Sequence, residues 1–389
     1  EISKIDPDSL VRRLQDEGKQ EGKRGDYDFA LEKYTKAYQI REQVYGKMSI
    51  KLAPPLINLG ITYKNLGYID KAIEAYKMVE SLCSIYPTEN NMLGLVYVNL
   101  GVIYSESGDY LQALQYQRNA FRMLQKDSIK NPTNYQISKY NIAETQFKLG
   151  FYSETIKFSS QNLKSLSPEL RPRLYDLIAQ AYLKQGQTDL SEENYLKAIA
   201  EWIKLLGPGN VELVSEYLAY ADLLRYQKQF DRSLVYIQKA NRIVLDFYKE
   251  KSTPYSEVLT GFGDYYNLRN LEAGLIDDFR EKRKESLNQA IQFYQKAIVA
   301  LVDSFQVFDP LINPPLKNVI SDIYLVEVVK KKASALEILA DIFRSEFDAK
   351  NAEKYYAASL NSLETATNLI HRLQIGYENE DSKLFLSQN

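Results

Sequence analysis

The chain has 389 residues, and its 49 Lys and Arg against 51 Asp and Glu leave a net charge of −2. This balance argues against a nucleic-acid-binding protein, which would carry a basic excess, and against a protein held to membranes by charge alone. One cysteine excludes an intrachain disulfide, and one histidine excludes a histidine-based metal cage. No apolar run approaches the roughly 18 residues of a membrane-spanning helix.

A repeated pattern starts near the first residues and continues along most of the chain. The segments Leu59–Tyr63 (LGITY) and Leu100–Tyr104 (LGVIY) are alike, and each is followed by a Gly and then an Ala at the same spacing. Small residues recur at the equivalent point of each unit, at Gly18, Gly60, Gly101, Ala143, Ala179, Ala221, Gly263 and Ala340. The first six steps are 42, 41, 42, 36, 42 and 42 residues. A period near 42 indicates stacked repeats of one structural unit.

Each position of the repeat has a physical role in a helical hairpin. The small residue lets the first helix of the hairpin, helix A, approach the second, helix B. Glycines that end helix A in a left-handed conformation are predicted at Gly25, Gly67, Gly108, Gly150 and Gly186. Aromatic residues continue the apolar stripe of helix B at Tyr34, Tyr76, Tyr195, Tyr294 and Tyr356. Because one hairpin cannot bury its own stripe, the hairpins must stack.

This pattern resembles the tetratricopeptide repeat over about residues 10–365. Loops such as 206–211 (LGPGNV) resemble those of the 42-residue subtype of kinesin light chains. The resemblance implies an all-α fold, a right-handed superhelix (α-solenoid) of about eight helical hairpins with an irregular last third. It also implies a scaffold that binds a protein or peptide in its concave groove. The pattern is weakest in repeat 4, where Thr155, Ser159 and Asn162 replace the expected small and aromatic residues.

The regular pattern changes near the end of the chain. Repeats 1–7 are predicted to form an array over 10–305, with an insertion at about 269–284. A Pro-rich linker over 306–318 cannot be helical, because its three prolines lack amide donors and disfavour helical backbone before them. A last helical hairpin is predicted over 319–375. Gly376 is expected to end its second helix, and the tail 376–389 to lead toward a downstream domain.

A short run near the end of the chain resembles a second family. Its residues are Arg372, Tyr377, Glu380, Asp381, Ser382 and Lys383. The run is similar to the sequence that precedes the caspase-like CHAT peptidase domain of bacterial tetratricopeptide-repeat proteins. The resemblance implies that this chain is the recognition or regulatory half of a longer protease. The His–Cys dyad of that domain is not carried over, because Cys83 and His371 lie in predicted helices of the repeat region.

Asparagines at a fixed position are the main candidate binding residues. Asn58, Asn99 and Asn141 each lie two residues before the small residue of helix A. This position faces the groove, where amides can hold the backbone of an extended peptide, or can instead bond a neighbouring repeat. The same register adds Ile57, Ile61, Lys64, Asn65, Val98, Val102, Glu106, Tyr140, Glu144 and Phe147. Apolar residues beside amides suit a peptide with aliphatic or aromatic anchors.

Other interpretations of the groove stay open. Lys64 and Asn65 resemble part of the carboxylate clamp of chaperone-binding repeats, but the rest of that clamp is missing. The array could be a structural self-association scaffold with an occluded groove. It could also be a peptide-sensing regulator, although such proteins usually carry an additional N-terminal domain and only about ten residues precede repeat 1.

The remaining reactive side chains have structural interpretations. Cys83 is expected to be a small buried hydrophobic residue, His371 a helix-end residue, and Lys330–Lys332 a solvated helix face. No phosphate loop, Gly-x-Ser-x-Gly elbow or paired metal-ligand spacing is present, so we expect no cofactor, metal or enzymatic activity. Because the chain begins at Glu1, we expect upstream residues to have been removed. The compartment, cytoplasmic or extracytoplasmic after signal-peptide removal, stays open.

Overall fold

The computed structural model describes residues 6–86, 90–125, 132–269 and 277–378, and these residues are almost entirely helical. They hold two short 3-10 helices, Ile50–Leu52 and Leu163–Ser165, and one isolated antiparallel bridge between Val302 and Val319. The α-helices are α1 (Pro7–Arg24), α2 (Tyr27–Tyr45), α3 (Ala53–Asn65), α4 (Ile69–Ile85), α5 (Asn90–Glu106), α6 (Tyr110–Gln125), α7 (Pro132–Lys148), α8 (Tyr152–Asn162), α9 (Arg171–Lys184), α10 (Thr188–Leu206), α11 (Leu213–Tyr226), α12 (Phe230–Phe247), α13 (Thr253–Leu268), α14 (Asp277–Leu301), α15 (Asp322–Ser345) and α16 (Ala349–Glu378). The predicted all-α fold is confirmed.

The helices pair in sequence as eight hairpins, in which each odd-numbered helix is helix A and each even-numbered helix is helix B. The chain divides into two compact units, of which unit 1 holds α1–α8, up to Leu170, and unit 2 spans Arg171–Gly376. Within each unit, helix B of one hairpin packs against helix A of the next. Helices A also contact one another, as α3, α5 and α7 do in unit 1 and α11, α13 and α15 do in unit 2. Among the described helices, none combines the length and apolar character that crossing a bilayer requires.

The two helices of a hairpin approach each other where the sequence places its small residue. A Cβ added to Gly18, Gly60 or Gly263 would lie 2.9, 2.5 or 2.4 Å from the tyrosine ring opposite, in Tyr34, Tyr76 and Tyr294 respectively. Real Cβ atoms do not approach that closely, so these hairpins require glycine at their current spacing. Where the residue is alanine instead, as at Ala143, Ala179, Ala221 and Ala340, it is fully buried. The predicted role of the small residue is confirmed.

The turn after helix A has a left-handed residue in seven of the hairpins. The five predicted glycines have φ between 74° and 85°. Two positions that the sequence pattern did not identify adopt the same conformation without a glycine, Lys228 with φ 62° and Phe347 with φ 61°. Left-handed backbone places the Cβ of an L-residue close to a carbonyl oxygen, so both residues are strained.

The Pro-rich segment lies within unit 2 and is held there by buried polar contacts. No described residue between Leu301 and Asp322 is helical. The ammonium of Lys251 donates to the carbonyl oxygens of Val299, Val302 and Phe305 at 2.6, 2.8 and 2.8 Å, where α14 ends. Further along, the side-chain amide of Gln295 donates to the carbonyl oxygens of Val307 (2.8 Å) and Ile312 (3.0 Å).

A fully buried lysine joins the Pro-rich segment to α14 and α15. Lys332 Nζ donates to Gln295 Oε1 at 2.9 Å and to Asn313 Oδ1 at 2.6 Å. Asn313 Nδ2 in turn donates to Ser362 of α16 at 3.2 Å. Burial disfavours the charged ammonium and lowers the pKa of Lys332 to about 7.

The expected solvated lysine face was therefore wrong. Lys330 is exposed, Lys331 is half-buried between Asp264 and Glu327, and Lys332 is fully buried. The physical reason is the 3.6-residue turn, which points three consecutive side chains in three different directions.

Two expectations for the last hairpins also need correction. Gly376 does not end the last helix, since α16 continues to Glu378; glycine inside a helix costs only about 1 kcal/mol. His371 is exposed and lies two turns before the end of α16, so it is not a helix-end residue. The later part of the expected insertion, from Asp277, is the first part of α14, and 270–276 lie outside the described residues.

The left-handed turn positions generate a stability prediction. Lys228→Gly should stabilise unit 2 by about 1 kcal/mol. Glycine removes the left-handed strain from the folded state, and this gain exceeds the conformational entropy that glycine adds to the unfolded chain. Gly186→Ala should destabilise by a similar amount. Chemical denaturation measures both. Lys228→Ala is the matched control: it keeps a Cβ, so a gain as large as that of glycine would contradict the strain argument.

Lys332 generates a pH prediction. Its folded-state pKa lies well below its unfolded value near 10.5, so between about pH 7 and 10 the unfolded chain holds a proton that the folded chain has lost. Stability from this group therefore rises with pH above 7, by on the order of 1 kcal/mol per pH unit. The difference in unfolding free energy between wild type and Lys332→Met should shift in favour of wild type from pH 7 to pH 9. The exposed neighbour Lys330→Met should show a pH-independent difference.

Candidate functional site

A pocket lined mainly by polar residues opens on the surface formed by α3, α5 and α7, which we call the helix-A face of unit 1. Its volume is about 490 Å³. It is lined by Val102, Ser105, Glu106, Tyr110, Gln117, Asn141, Glu144 and Lys148. Helix A of repeats 3 and 4 supplies most of these residues, and helix B of repeat 3 supplies Tyr110 and Gln117. Four of them, Val102, Glu106, Asn141 and Glu144, were predicted from the repeat register.

The register also places residues of repeats 2 and 3 side by side. Lys64 Nζ lies 2.8 Å from Glu106 Oε1, across 42 residues of sequence. The ammonium of Lys64 is thus neutralised by its neighbour within the face. This pairing provides no support for a carboxylate clamp at Lys64. Ile61 is exposed on the same helix, 39% accessible.

Two of the predicted face residues belong to the core instead. Ile57 packs in the cluster that includes Leu56, Leu59 and Tyr76, and Val98 packs against Ala120 and Leu124. Both lie three residues before the small residue, one position further around the helix than the asparagines. This rotation turns them toward helix B, so neither can serve as a surface anchor. Phe147 packs on Tyr152, with ring centroids 5.5 Å apart.

The three asparagines differ in how their amides are used. Asn99 Nδ2 donates to the carbonyl oxygen of Leu95, one turn earlier in α5, at 2.9 Å. Asn141 Nδ2 is buried and has no hydrogen-bond partner. For Asn58 the backbone carbonyl accepts from Thr62 Oγ1 at 2.9 Å. A buried amide donor without a partner costs about 1–3 kcal/mol, so Asn141 gains most from a ligand acceptor.

Gln117 is a pocket residue that sequence reasoning missed. Its side chain is 2% exposed, and its Nε2 donates to the carbonyl oxygen of Gly101 at 3.5 Å, while its Oε1 is buried without a partner. The sequence does distinguish this position. Repeats 1, 2 and 5 have a tyrosine 16 residues after the small residue, whereas repeat 3 has this glutamine. Ser105, Tyr110 and Lys148 were also not predicted.

Unit 2 has a second polar pocket, of about 290 Å³, between α11, α13 and α15. It contains Ala219 and Gly261, which lie two residues before the small residue as the asparagines do, and which leave the space open because neither carries a long side chain. Lys331 bonds Asp264 at 2.7 Å across its floor. The buried guanidinium of Arg225 contacts Asp222 and lies 3.8 Å from Asp264. Four carboxylates, of Asp222, Glu257, Asp264 and Glu327, line this pocket against the one lining ammonium of Lys331, so its lining is acidic overall.

Two carboxyl groups with raised pKa values, those of the buried Glu216 and the half-buried Asp176, lie elsewhere in unit 2. Glu216 Oε1 accepts from the indole of Trp202 at 3.2 Å, and its Oε2 is buried without a partner. Burial, followed by the charge of Asp176, raises the pKa of Glu216. Burial also raises the pKa of Asp176, which accepts from Gln180 at 2.8 Å. No group of three or more His, Cys, Asp or Glu able to hold a metal occurs in the part of the chain that the structure describes.

Comparison with known proteins identifies the repeats. Models described as tetratricopeptide repeat match residues 18–84, 95–123 and 172–200. The chain therefore carries tetratricopeptide repeats, and its described hairpins extend the same helix pairing beyond the matched ranges. No curated protein matches the sequence.

One solved structure supports the fold, and a second is reported beside it as a likeness. The apo form of the quorum sensor NprR from B. thuringiensis is 13% identical, with a TM-score of 0.59, and the match covers 93% of this chain and 90% of that one. A tetratricopeptide repeat protein from Parabacteroides merdae is 18% identical over 76% of this chain and 94% of its own, with a TM-score of 0.49. At these identities the likeness concerns the fold alone.

Glu216 generates a second pH prediction, of opposite sign. Its folded-state pKa lies above its unfolded value, so as pH rises the unfolded chain loses a proton that the folded chain keeps, and stability falls. Glu216→Gln imitates the protonated form at every pH. It should be nearly neutral at pH 5 and stabilising relative to wild type at pH 8, by on the order of 1 kcal/mol per pH unit above the unfolded pKa.

Thermal or denaturant unfolding at both pH values tests this prediction. Glu193→Gln is the matched control, since Glu193 lies on the exposed side of α10, in an exposed pair with Lys197. Such pairs contribute little, so its effect should be small and the same at pH 5 and pH 8. An effect of Glu216→Gln that does not grow with pH would contradict the buried, protonated carboxyl.

Proposed function

We propose that the helix-A face of unit 1 binds an extended peptide segment of a partner protein. The observation that carries the proposal is the buried Asn141 amide, which has no partner and lies at a pocket of about 490 Å³. Peptide backbone supplies the acceptors that such an amide lacks, at regular spacing along an extended chain. Asn58 and Asn99 occupy the equivalent positions of the two preceding repeats.

The charge of the face fits a ligand segment without a large net charge. Lys64 and Glu106 neutralise each other, and Glu144 and Lys148 add one charge of each sign. Exposed Ile61 and pocket residue Val102 offer apolar contacts beside the amides. These features favour a peptide with aliphatic side chains over a strongly acidic or basic one. The open pocket favours a binding face over a self-association scaffold with an occluded groove.

We also propose that peptide recognition serves a larger regulatory protein. Two kinds of regulatory protein could contain this repeat array. The resemblance of the run beginning at Arg372 favours a downstream caspase-like CHAT domain, whereas the likeness to a structure described as a quorum sensor favours a peptide-sensing regulator. Arg372 itself pairs with Asp322 (Nε–Oδ2 2.7 Å), and 379–389 lie outside the described residues. The reading frame downstream of Asn389 decides: about 300 further residues with a His and a Cys in an α/β pattern support the protease, and an early stop codon overturns it.

The asparagine series generates the binding prediction. A peptide is first selected from a displayed random library against the intact chain, and its dissociation constant is measured by calorimetry. Replacing Asn58, Asn99 and Asn141 together with alanine should weaken binding by up to roughly 3 kcal/mol, about a hundredfold, at about 1 kcal/mol per lost amide contact. Replacement of three exposed asparagine or glutamine side chains on helices B of unit 1 is the matched control and should leave binding unchanged.

The same triple variant separates peptide binding from a structural role. Its midpoint of thermal unfolding should barely change, because the face side chains contribute little to the core. If the amides instead bond a neighbouring repeat, stability falls directly. A decrease of more than about 10 °C would end the peptide-binding interpretation of the asparagines, since such a change requires lost internal contacts.

A further inference from the structure

Gln117 occupies a place that aromatic rings fill in other hairpins. In repeats 1 and 2, Tyr34 and Tyr76 lie 16 residues after the small residue, with their rings against Gly18 and Gly60. In repeat 3 the contact is the same but the residue differs: a Cβ on Gly101 would lie 2.7 Å from Gln117 Cγ. A ring that would complete the contact between helices A and B is thus replaced by a side-chain amide.

Two complementary polar atoms are unpartnered in residues that line this pocket. Gln117 Oε1 is a buried acceptor without a donor, and Asn141 Nδ2 is a buried donor without an acceptor. Both residues line the pocket of about 490 Å³. Each unpartnered atom destabilises the free protein, so a ligand group that satisfies both gains affinity from relief of that cost.

The required group has an N–H donor and a carbonyl acceptor and carries no charge. A carboxylate offers only acceptors, and an ammonium or guanidinium offers only donors. The charges lining the pocket give no reason for a charged ligand either, because Glu106 is paired with Lys64, and Glu144 and Lys148 have opposite signs. An amide is the common protein group that meets both requirements.

The depth of Gln117 below the surface decides whether the amide group of a ligand side chain or of its backbone can contact it. The three asparagines belong to helices A, at the surface of the face. Gln117 belongs to helix B of repeat 3, and only 2% of its side chain is exposed. A peptide backbone lying along helices A remains above this layer. A side chain directed into the pocket is therefore the part of the ligand that meets Gln117.

We propose that this pocket selects a glutamine or asparagine side chain of the bound segment, which donates its N–H to Gln117 Oε1 and accepts from Asn141 Nδ2. This inference rests on the proposed peptide-binding function and adds its sequence preference. It assigns Gln117 as the specificity-determining residue of repeat 3. The pocket rejects glutamate at that ligand position, because two carboxylate oxygens would leave Gln117 Oε1 without a donor and place a charge beside it.

The test uses three small probes on the intact chain: N-acetyl-glutamine-N-methylamide and its glutamate and methionine analogues. Nuclear magnetic resonance titration of the Gln117 and Asn141 side-chain amides measures each dissociation constant. The glutamine probe should bind at least about tenfold more tightly than either analogue, because each analogue leaves a buried polar atom unpaired. Equal binding of the three, or no saturable binding of the glutamine probe up to about 10 mM, overturns the proposal.

Three variants locate the selectivity. Gln117→Tyr introduces the ring that other repeats carry at this position; it should keep or raise the thermal midpoint and abolish the preference for the glutamine probe. Gln115→Tyr makes the same change on the exposed side of α6 and should retain the preference. Asn141→Leu removes the whole side-chain amide, and with it the Nδ2 donor, at similar side-chain size; it should reduce the preference about tenfold, which keeps the test decisive if Gln117→Tyr does not fold. Undiminished selectivity in both Gln117→Tyr and Asn141→Leu would overturn the assignment.

The selected library peptides distinguish this inference from the proposed function. If they bind and depend on the three asparagines but contain no enriched glutamine or asparagine, the selective pocket is wrong and the peptide-binding face stands. If the glutamine probe binds at Gln117 while peptide binding does not depend on Asn58 and Asn99, the extended face is wrong.

Discussion

The architecture depends on the close contact of the two helices of each hairpin at one small residue. A tyrosine ring of helix B lies directly on a glycine of helix A in three hairpins, at distances that exclude a Cβ. This contact sets the separation of the helices and therefore the directions of the side chains on the outer surface of helix A. Because each hairpin then stacks on the next, one local contact repeated along the chain positions the whole helix-A face.

The candidate site arises where that contact changes its chemistry. In unit 1 the partner of Gly101 is Gln117, and in the next repeat Ser159 takes the same place, with an Oγ that is buried and has no partner. Polar atoms at these points give up packing enthalpy that a ring would provide. Such a loss in the interior of an otherwise regular array is the kind of local departure that marks a functional position. Hairpin 4, which the sequence identifies as the weakest repeat, is also the last hairpin before the chain divides at Leu170.

The periodic features of the fold could be predicted from the sequence because they recur. Gly60, Gly101 and their equivalents mark the crossing, and the same register identifies Asn141 and Glu106 as neighbours on one face. The site residues that could not be predicted are those whose role depends on where one side chain points within its repeat and on how deeply it is buried. Ile57 and Val98 differ from the asparagines by one residue, about 100° around the helix, and this is enough to turn them into the core. Gln117 could be recognised in the sequence only because it stands where repeats 1, 2 and 5 have a tyrosine.

Unit 2 contains buried ionisable groups whose effects on stability oppose each other. Lys332 makes stability rise with pH above about 7, since its folded form loses a proton that the unfolded chain keeps. Glu216 acts in the opposite direction, because its folded form keeps a proton that the unfolded chain loses. Where the two ranges overlap, on the alkaline side of neutrality, one slope offsets the other. A flat stability profile of wild type in that range therefore does not indicate an absence of buried ionisable groups. Each group becomes visible in the difference between wild type and the variant that removes it, because the other group is the same in both proteins.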